Sequence, residues 1–261
     1  MNKYNFTDAL QRNLSFHSIP ERIISLVPSL TETLFDLGLS HSIIGRTKFC
    51  IHPKGMIDSV PKVGGTKNVH INKIQVLNPD LIVANIEENT KEEIEMLCKN
   101  FTVYISDIKN ISDLTQFIRN MGNLFNKRAL TEPMISEIMS SFHKELAKQH
   151  KVVYLIWNLP MMTVGHDTFI HHMLLNQGFV NVFGHLTRYP VISEEDIRKA
   201  NPDYIFLSSE PFPFYQKHIE TFTEKFDKSR TVLVDGEAFS WYGTRILKLR
   251  SYFEHFHETL T

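Results

Sequence analysis

The chain has 261 residues, with 28 Lys and Arg against 29 Asp and Glu, for a formal net charge of −1. Its hydrophobic fraction of 42 % excludes a disordered chain, because enough apolar surface exists to offset the entropy of ordering. The near-zero charge excludes the strong basic excess of a dedicated nucleic-acid binder, and this length suits two lobes better than one core.

The first residues carry Lys3, Asp8, Arg12, His17, Glu21 and Arg22 at short intervals, leaving no uninterrupted apolar run. No secretory leader is therefore expected, and the chain as it stands reads as cytoplasmic, or periplasmic or cell-surface if a leader was removed. The two cysteines, Cys50 and Cys98, are too few for a disulfide framework and read as reduced thiols, with no lipid-anchored cysteine near the start. Apolar runs such as Leu81–Ala84 are far too short to span a bilayer, so no membrane-spanning segment is expected.

A strand at Ile23–Val27 leads to a helix from about Thr31, stopped at Gly38, where a backbone without a Cβ turns left-handed at little cost. A second helix around Ile74 is stopped by Asn78-Pro79, since proline disfavours helix at the residue before it, and a buried strand follows at Leu81–Ala84. Ser112–His150 lacks strand signals. Leu114, Phe117, Ile118, Met121 and Leu124 fall at helical spacing, as do Ile135, Ile138, Met139, Phe142 and Leu146, with Pro133 placed in the first turn of the second stretch and a break near 122–127. The pattern then returns: a strand at Val152–Trp157, a helix from Thr168 to Gly178, a helix around Ile197 stopped by Asn201-Pro202, and a strand at Tyr204–Leu207.

The chain thus repeats itself once. Asn78-Pro79-Asp80 matches Asn201-Pro202-Asp203, and at the same offset Ile74 meets Ile197, Ile82 meets Ile205 and Glu87 meets Glu210. The expected fold is α/β: two similar lobes with parallel sheets, residues 1–111 and 151–261, joined by a long, stiff helical linker at 112–150 that limits lobe motion.

In open parallel sheets, ligands bind beyond the carboxyl ends of the strands. The loops assigned there, from Pro28–Glu32 to Gly236–Arg245, are rich in aromatic residues and histidine. Phe49, His52, Trp157, His166, Tyr189, Phe212, Phe239, Trp241, Tyr242 and Arg245 are the candidate lining of a cleft between the lobes for a large flat or apolar ligand. Catalytic patterns are weak. His166, His171 and His172 lack a zinc-motif companion, and His166-Asp167 reads better as a helix cap. Ser208-Ser209-Glu210 lacks a nucleophile elbow, Gly64-Gly65-Thr66-Lys67 lacks full phosphate-loop spacing, and Cys50 beside His52 makes a poor catalytic pair.

With these motifs placed, the chain resembles the helical-backbone metal receptors, the periplasmic-binding proteins (class III) of ABC importers for vitamin B12, haem and iron–siderophores. The match rests on RIISLVPSLTETLFDLG (22–38), VGGTKNVHINKIQVLNPDLIVA (63–84) and ISEEDIRKANPDYIFLSSEPF (192–212), and Val27–Glu32 is most similar to the B12-binding branch. The resemblance implies a solute-binding protein, requiring no cofactor of its own, that holds a metal chelate between its lobes: a corrinoid first, an iron–siderophore or haem next. It implies that His52, standing where B12-binding relatives carry an aromatic residue before proline, could stack on a macrocycle or ligate its metal axially. It also implies docking of an ABC permease through an acidic residue on each lobe, here Glu87 and Glu210, with Glu88 and Glu92 as further candidates. A cytosolic enzyme, or a salvage or sensor protein, using His52, His166, Asp167, Glu210 or Arg245 on the same scaffold is the alternative; a metal-ion receptor ranks third.

Overall fold

The computed structural model describes residues 4–142 and 150–260. In chain order it contains β1 (Tyr4–Thr7), β2 (Asn13–Phe16), β3 (Ile23–Ser25), α1 (Pro28–Asp36), β4 (Ile43–Arg46), β5 (Gly64–Gly65), β6 (Asn68–Val69), α2 (Ile71–Leu77), β7 (Leu81–Asn85), α3 (Lys91–Cys98) and β8 (Val103–Ser106). Two helices follow, α4 (Ile111–Leu124) and α5 (Arg128–Phe142). The chain continues with β9 (His150–Leu155), α6 (Phe169–Asn176), β10 (Phe179–Asn181), α7 (Glu194–Ala200), β11 (Tyr204–Ser208), α8 (Gln216–Lys225), β12 (Arg230–Val234), α9 (Gly236–Ser240) and α10 (Arg250–Leu260).

Two compact units result. The first extends to Ile108 and adds Ser112–Glu137 and Tyr242–Lys248; the second comprises Lys109–Ile111, Ile138–Trp241 and the chain from Leu249 onward. Each holds a four-stranded parallel sheet, ordered β4-β3-β7-β8 in the first and β10-β9-β11-β12 in the second. The α/β class and the duplicated parallel sheets are as the sequence predicts.

The boundaries differ from those expected. The connector is no separate body, for its first part packs with the first unit and the rest of α5 belongs to the second. Tyr242–Lys248, expected in the second lobe, belongs to the first, because Thr244, Arg245 and Lys248 bond to side chains of α1. Asn126, left-handed at φ 55, marks the break between α4 and α5. Pro133 lies inside α5, beyond its first turn, and Leu146 lies outside the described residues.

The Asn-Pro-Asp repeat has a physical explanation. Helices α2 and α7 both span seven residues and end on an asparagine with nearly the same left-handed backbone, φ 44 and ψ 66 at Asn78, φ 44 and ψ 63 at Asn201. Asparagine tolerates this region better than other residues with a Cβ. Proline then blocks any further turn. The aspartate that follows turns back on the neighbouring strand: Asp80 accepts the backbone N–H groups of Glu21 and Arg22, both at 2.9 Å, and Asp203 accepts that of Lys151 at 2.7 Å. These donors sit at the starts of β3 and β9, so each carboxylate fixes the register of its sheet's central strand pair, Ile23 beside Leu81 and Val152 beside Tyr204. The Arg22 guanidinium adds a cap on the Leu77 and Asn78 carbonyls at the end of α2.

The cores differ in character. The first is aliphatic, built on Ile24, Ile74, Ile82, Leu97 and Ile105. The second adds an aromatic layer in which Phe179, Phe206, Phe239, Phe253 and Phe256 meet edge to face or tilted, at centroid distances of 5.0–6.4 Å.

Replacing Asp80 by alanine removes two charge-assisted hydrogen bonds and is expected to cost about 1–2 kcal/mol, or roughly 2–8 °C in melting temperature. A melt of Asp80→Ala unchanged from the parent would show that the carboxylate does not hold the strand.

Candidate functional site

The loop after β4 is organised from below. Arg46 is 3 % exposed, and its guanidinium donates to the Cys50 carbonyl at 2.9 Å and the Ile57 carbonyl at 3.1 Å. Cys50 is fully buried, its Sγ within 3.1 Å of both the Thr31 and Thr47 hydroxyls, and burial pushes its thiol pKa up. This sulfur is a packing group, poorly placed to form a thiolate, which agrees with the expectation that Cys50 beside His52 makes a poor catalytic pair. With Arg46 and Cys50 facing in, Phe49 faces out at 49 % exposure, with the Lys48 ammonium 4.9 Å from its ring centroid. His52 is half-buried. Phe49 and Lys48 join the β5–β6 hairpin in lining a groove of about 490 Å³.

The turn after β7 is held by amides. Asn85 Oδ1 accepts the Glu87 N–H at 2.8 Å, and Asn89 donates to the Thr66 carbonyl of the hairpin at 2.8 Å. Glu87 is half-buried two residues beyond the strand end.

Pro28–Glu32, expected as a loop, is already helix, because Pro28 suits the first helical turn without an N–H to satisfy. Its Glu32, only 3 % exposed, pairs with Arg245 at 2.8 Å and Lys248 at 2.9 Å, while Asp36 accepts the Thr244 hydroxyl at 2.6 Å. Gly243 lies against this helix at φ 107, where a Cβ would meet the Thr33 hydroxyl at 2.3 Å. Arg245 is thus corrected from ligand contact to partner of a buried carboxylate. Tyr242 is 3 % exposed and cannot serve as an open wall.

In the second unit, Trp157 is 39 % exposed just past the end of β9, and its indole N–H donates to the Leu159 carbonyl at 3.1 Å. Phe212, half-buried past the end of β11, meets it edge to face at 5.6 Å. Leu159 beside them is 82 % exposed. Phe239 is a further correction: at 0 % exposure it fills the aromatic core, because the single turn of α9 aims it inward.

Glu210 also departs from expectation. Its Oε1 accepts the Ser240 hydroxyl at 2.7 Å and the Trp241 indole N–H at 2.8 Å, so the carboxylate offered for docking and the indole offered for ligand contact are joined to each other. Gly236 permits this closeness, since a Cβ there would meet Glu210 Cγ at 2.5 Å. Burial pushes the Glu210 carboxyl pKa up, against the lowering effect of its two donors. Thr168, not His166-Asp167, caps α6 by accepting the His171 N–H at 3.2 Å. His166 is exposed with Nδ1 2.8 Å from the Leu186 carbonyl, and Asp167 accepts the Arg188 N–H. Tyr189 is half-buried, with the Arg188 guanidinium carbon 5.9 Å from its ring centroid.

Among the described residues, no group of three or more His, Cys, Asp or Glu side chains is arranged to hold a metal ion. Sequence reasoning missed Arg46, whose only sign was a cation at a strand end, and Glu32, whose partners lie far along the chain.

The sequence profile of the family described as Periplasmic binding protein matches residues 23–233. The chain is 27 % identical to an ABC transporter substrate-binding lipoprotein of Bacillus subtilis, covering 76 % of this chain and 67 % of that protein. It is 28 % identical to a vitamin B12-binding protein of Vibrio vulnificus, covering 75 % of this chain and 74 % of the relative. The fold is similar to that of a periplasmic haem-binding protein from Roseiflexus, with a TM-score of 0.77 at 16 % identity over 92 % of this chain and 99 % of that one. Names that place relatives in the periplasm or on a lipid anchor lend the cytoplasmic expectation no support. Among the described residues no helix is long and apolar enough to cross a membrane.

A raised carboxyl pKa means that the folded state holds the proton more tightly. The contribution of Glu210 to stability is therefore complete at low pH and is lost as pH rises from the ordinary 4.5 through the folded value. Glu210→Gln keeps an oxygen acceptor for Ser240 and Trp241 without the charge. Its melting temperature relative to the parent is expected to rise between about pH 4.5 and pH 7. A difference that does not vary with pH would contradict this.

Proposed function

Because the chain belongs to the periplasmic binding protein family, we propose that it captures a metal-chelate cofactor at its strand-end loops and presents it to an ABC permease, a corrinoid standing first among the ligands and haem or an iron–siderophore next. The observation that carries this reading is the Trp157–Phe212 pair with exposed Leu159. It is an apolar aromatic surface at the carboxyl ends of β9 and β11, where open parallel sheets bind ligands. Phe49 offers a similar surface beyond β4 of the first unit. Such rings suit a broad, flat ligand, for which stacking and desolvation supply most of the affinity.

The names of the relatives support the same class, one for vitamin B12, one for haem and one as the substrate-binding partner of an ABC transporter. His52, half-buried in the loop that carries Phe49, is the candidate for an axial bond to the chelated metal. Tyr189 and His166 are candidate rim contacts. Glu87 is the docking candidate of the first unit, whereas Glu210 is committed to Ser240 and Trp241 inside the second.

Tryptophan emission tests the proposal, because the chain has two tryptophans. In a Trp241→Phe background, saturable quenching of Trp157 by cobalamin, cobinamide, haem or a ferric siderophore is expected. Trp157→Ala should weaken that ligand, followed by its own absorption, by about tenfold or more, as for loss of a central aromatic contact. Absence of saturable binding with all four ligands would overturn the reading.

A further inference from the structure

Lys48, Lys62, Lys67 and Lys73 line the first unit's groove together with His70 and Phe49, and no acidic side chain lines it. All four lysines are exposed, and among the described residues none is paired with a carboxylate. Lys48 rests over the Phe49 ring, and the Lys73 ammonium approaches only the Lys62 carbonyl, at 3.5 Å. This is unusual in a chain of formal net charge −1, since four like charges around one groove repel one another without a counter-charge.

The backbone leaves room for that counter-charge. Gly64 has φ 121, and a Cβ there would meet the Asn68 carbonyl at 2.4 Å, so the hairpin turns tightly and carries no side chain at Gly64 or Gly65. The hairpin is also braced, by the Lys48 N–H to the Gly64 carbonyl at 2.7 Å and the Asn89 amide to the Thr66 carbonyl at 2.8 Å. Ammonium groups are thus brought by three separate segments around a fixed, open floor beside an exposed aromatic ring.

We propose that this groove binds the anionic groups, carboxylate or phosphate, of a ligand whose apolar part lies on Phe49. The inference rests on the reading of the strand-end loops as a ligand site and narrows it. The solute carries at least two negative charges, which favours a chelate with carboxylate arms over a corrinoid whose periphery is amide. A small free polyanion shares this chemistry, and the test separates the two sources.

Haem, haem dimethyl ester and inorganic pyrophosphate are titrated into the full chain at low and high salt, and into Lys62→Gln/Lys67→Gln and Lys48→Gln/Lys73→Gln. The expected result is that haem binds more tightly than its ester, loses affinity with salt, and loses about tenfold or more in each double variant, while binding of the uncharged ester is unchanged. Equal binding of haem and ester, with no effect of salt or of the lysine substitutions, would overturn the lysine site while leaving the chelate reading intact. Pyrophosphate binding lost in the variants, with no porphyrin bound at all, would keep the anion site but overturn a porphyrin with carboxylate arms as its ligand in favour of a small polyanion. Binding of neither porphyrin nor pyrophosphate would overturn this inference.

Discussion

One carboxylate, used twice, underlies the arrangement of both units. Asp80 and Asp203 each follow a helix that a left-handed asparagine and a proline have ended, and each bonds to the backbone at the start of the neighbouring strand. An extended chain emerging from a short helix could pair with its neighbour in several registers, and a slip of one residue would turn the side chains of the strand to the opposite face. The aspartate removes that freedom at the amino end of the strands. The loops at the carboxyl end inherit their positions from it.

Those loops follow a common plan: polar groups face inward and apolar rings face outward. Arg46 gathers the carbonyls beneath the loop of Phe49, Asn85 holds the turn of Glu87, and Glu210 ties α9 to the loop of Phe212. Buried polar groups bonded in this way give a loop one conformation, at a desolvation cost that only full hydrogen bonding offsets. The outward Phe49, Trp157 and Leu159 would each be unremarkable alone on a surface. Their placement at strand ends over braced loops gives them meaning.

The parts legible in the sequence are those set by local chemistry. Glycines at helix ends, the Asn-Pro-Asp signature and the alternation of strand and helix depend on neighbours along the chain, and Gly38 and Gly178 do adopt positive φ. The illegible parts depend on which face of a short element turns inward. Phe239 and Trp241 are two residues apart, yet α9 sends one into the core and leaves the other half-exposed beside Glu210. Arg245 reads as a cleft cation until its partner Glu32, 213 positions away, is known. Glu87 and Glu210 match in sequence and in position after their strands, yet the second is joined to a serine and an indole 30 and 31 residues on, which the repeat does not announce.

The most direct measurement is a crystal structure of the protein grown with the chelate that binds it most tightly. The account predicts the ligand's flat face in van der Waals contact with Trp157 and Phe212, with the Glu210–Trp241 hydrogen bond of the same unit unbroken. Density for the ligand away from every strand-end loop, with those rings still bare to solvent, would contradict it.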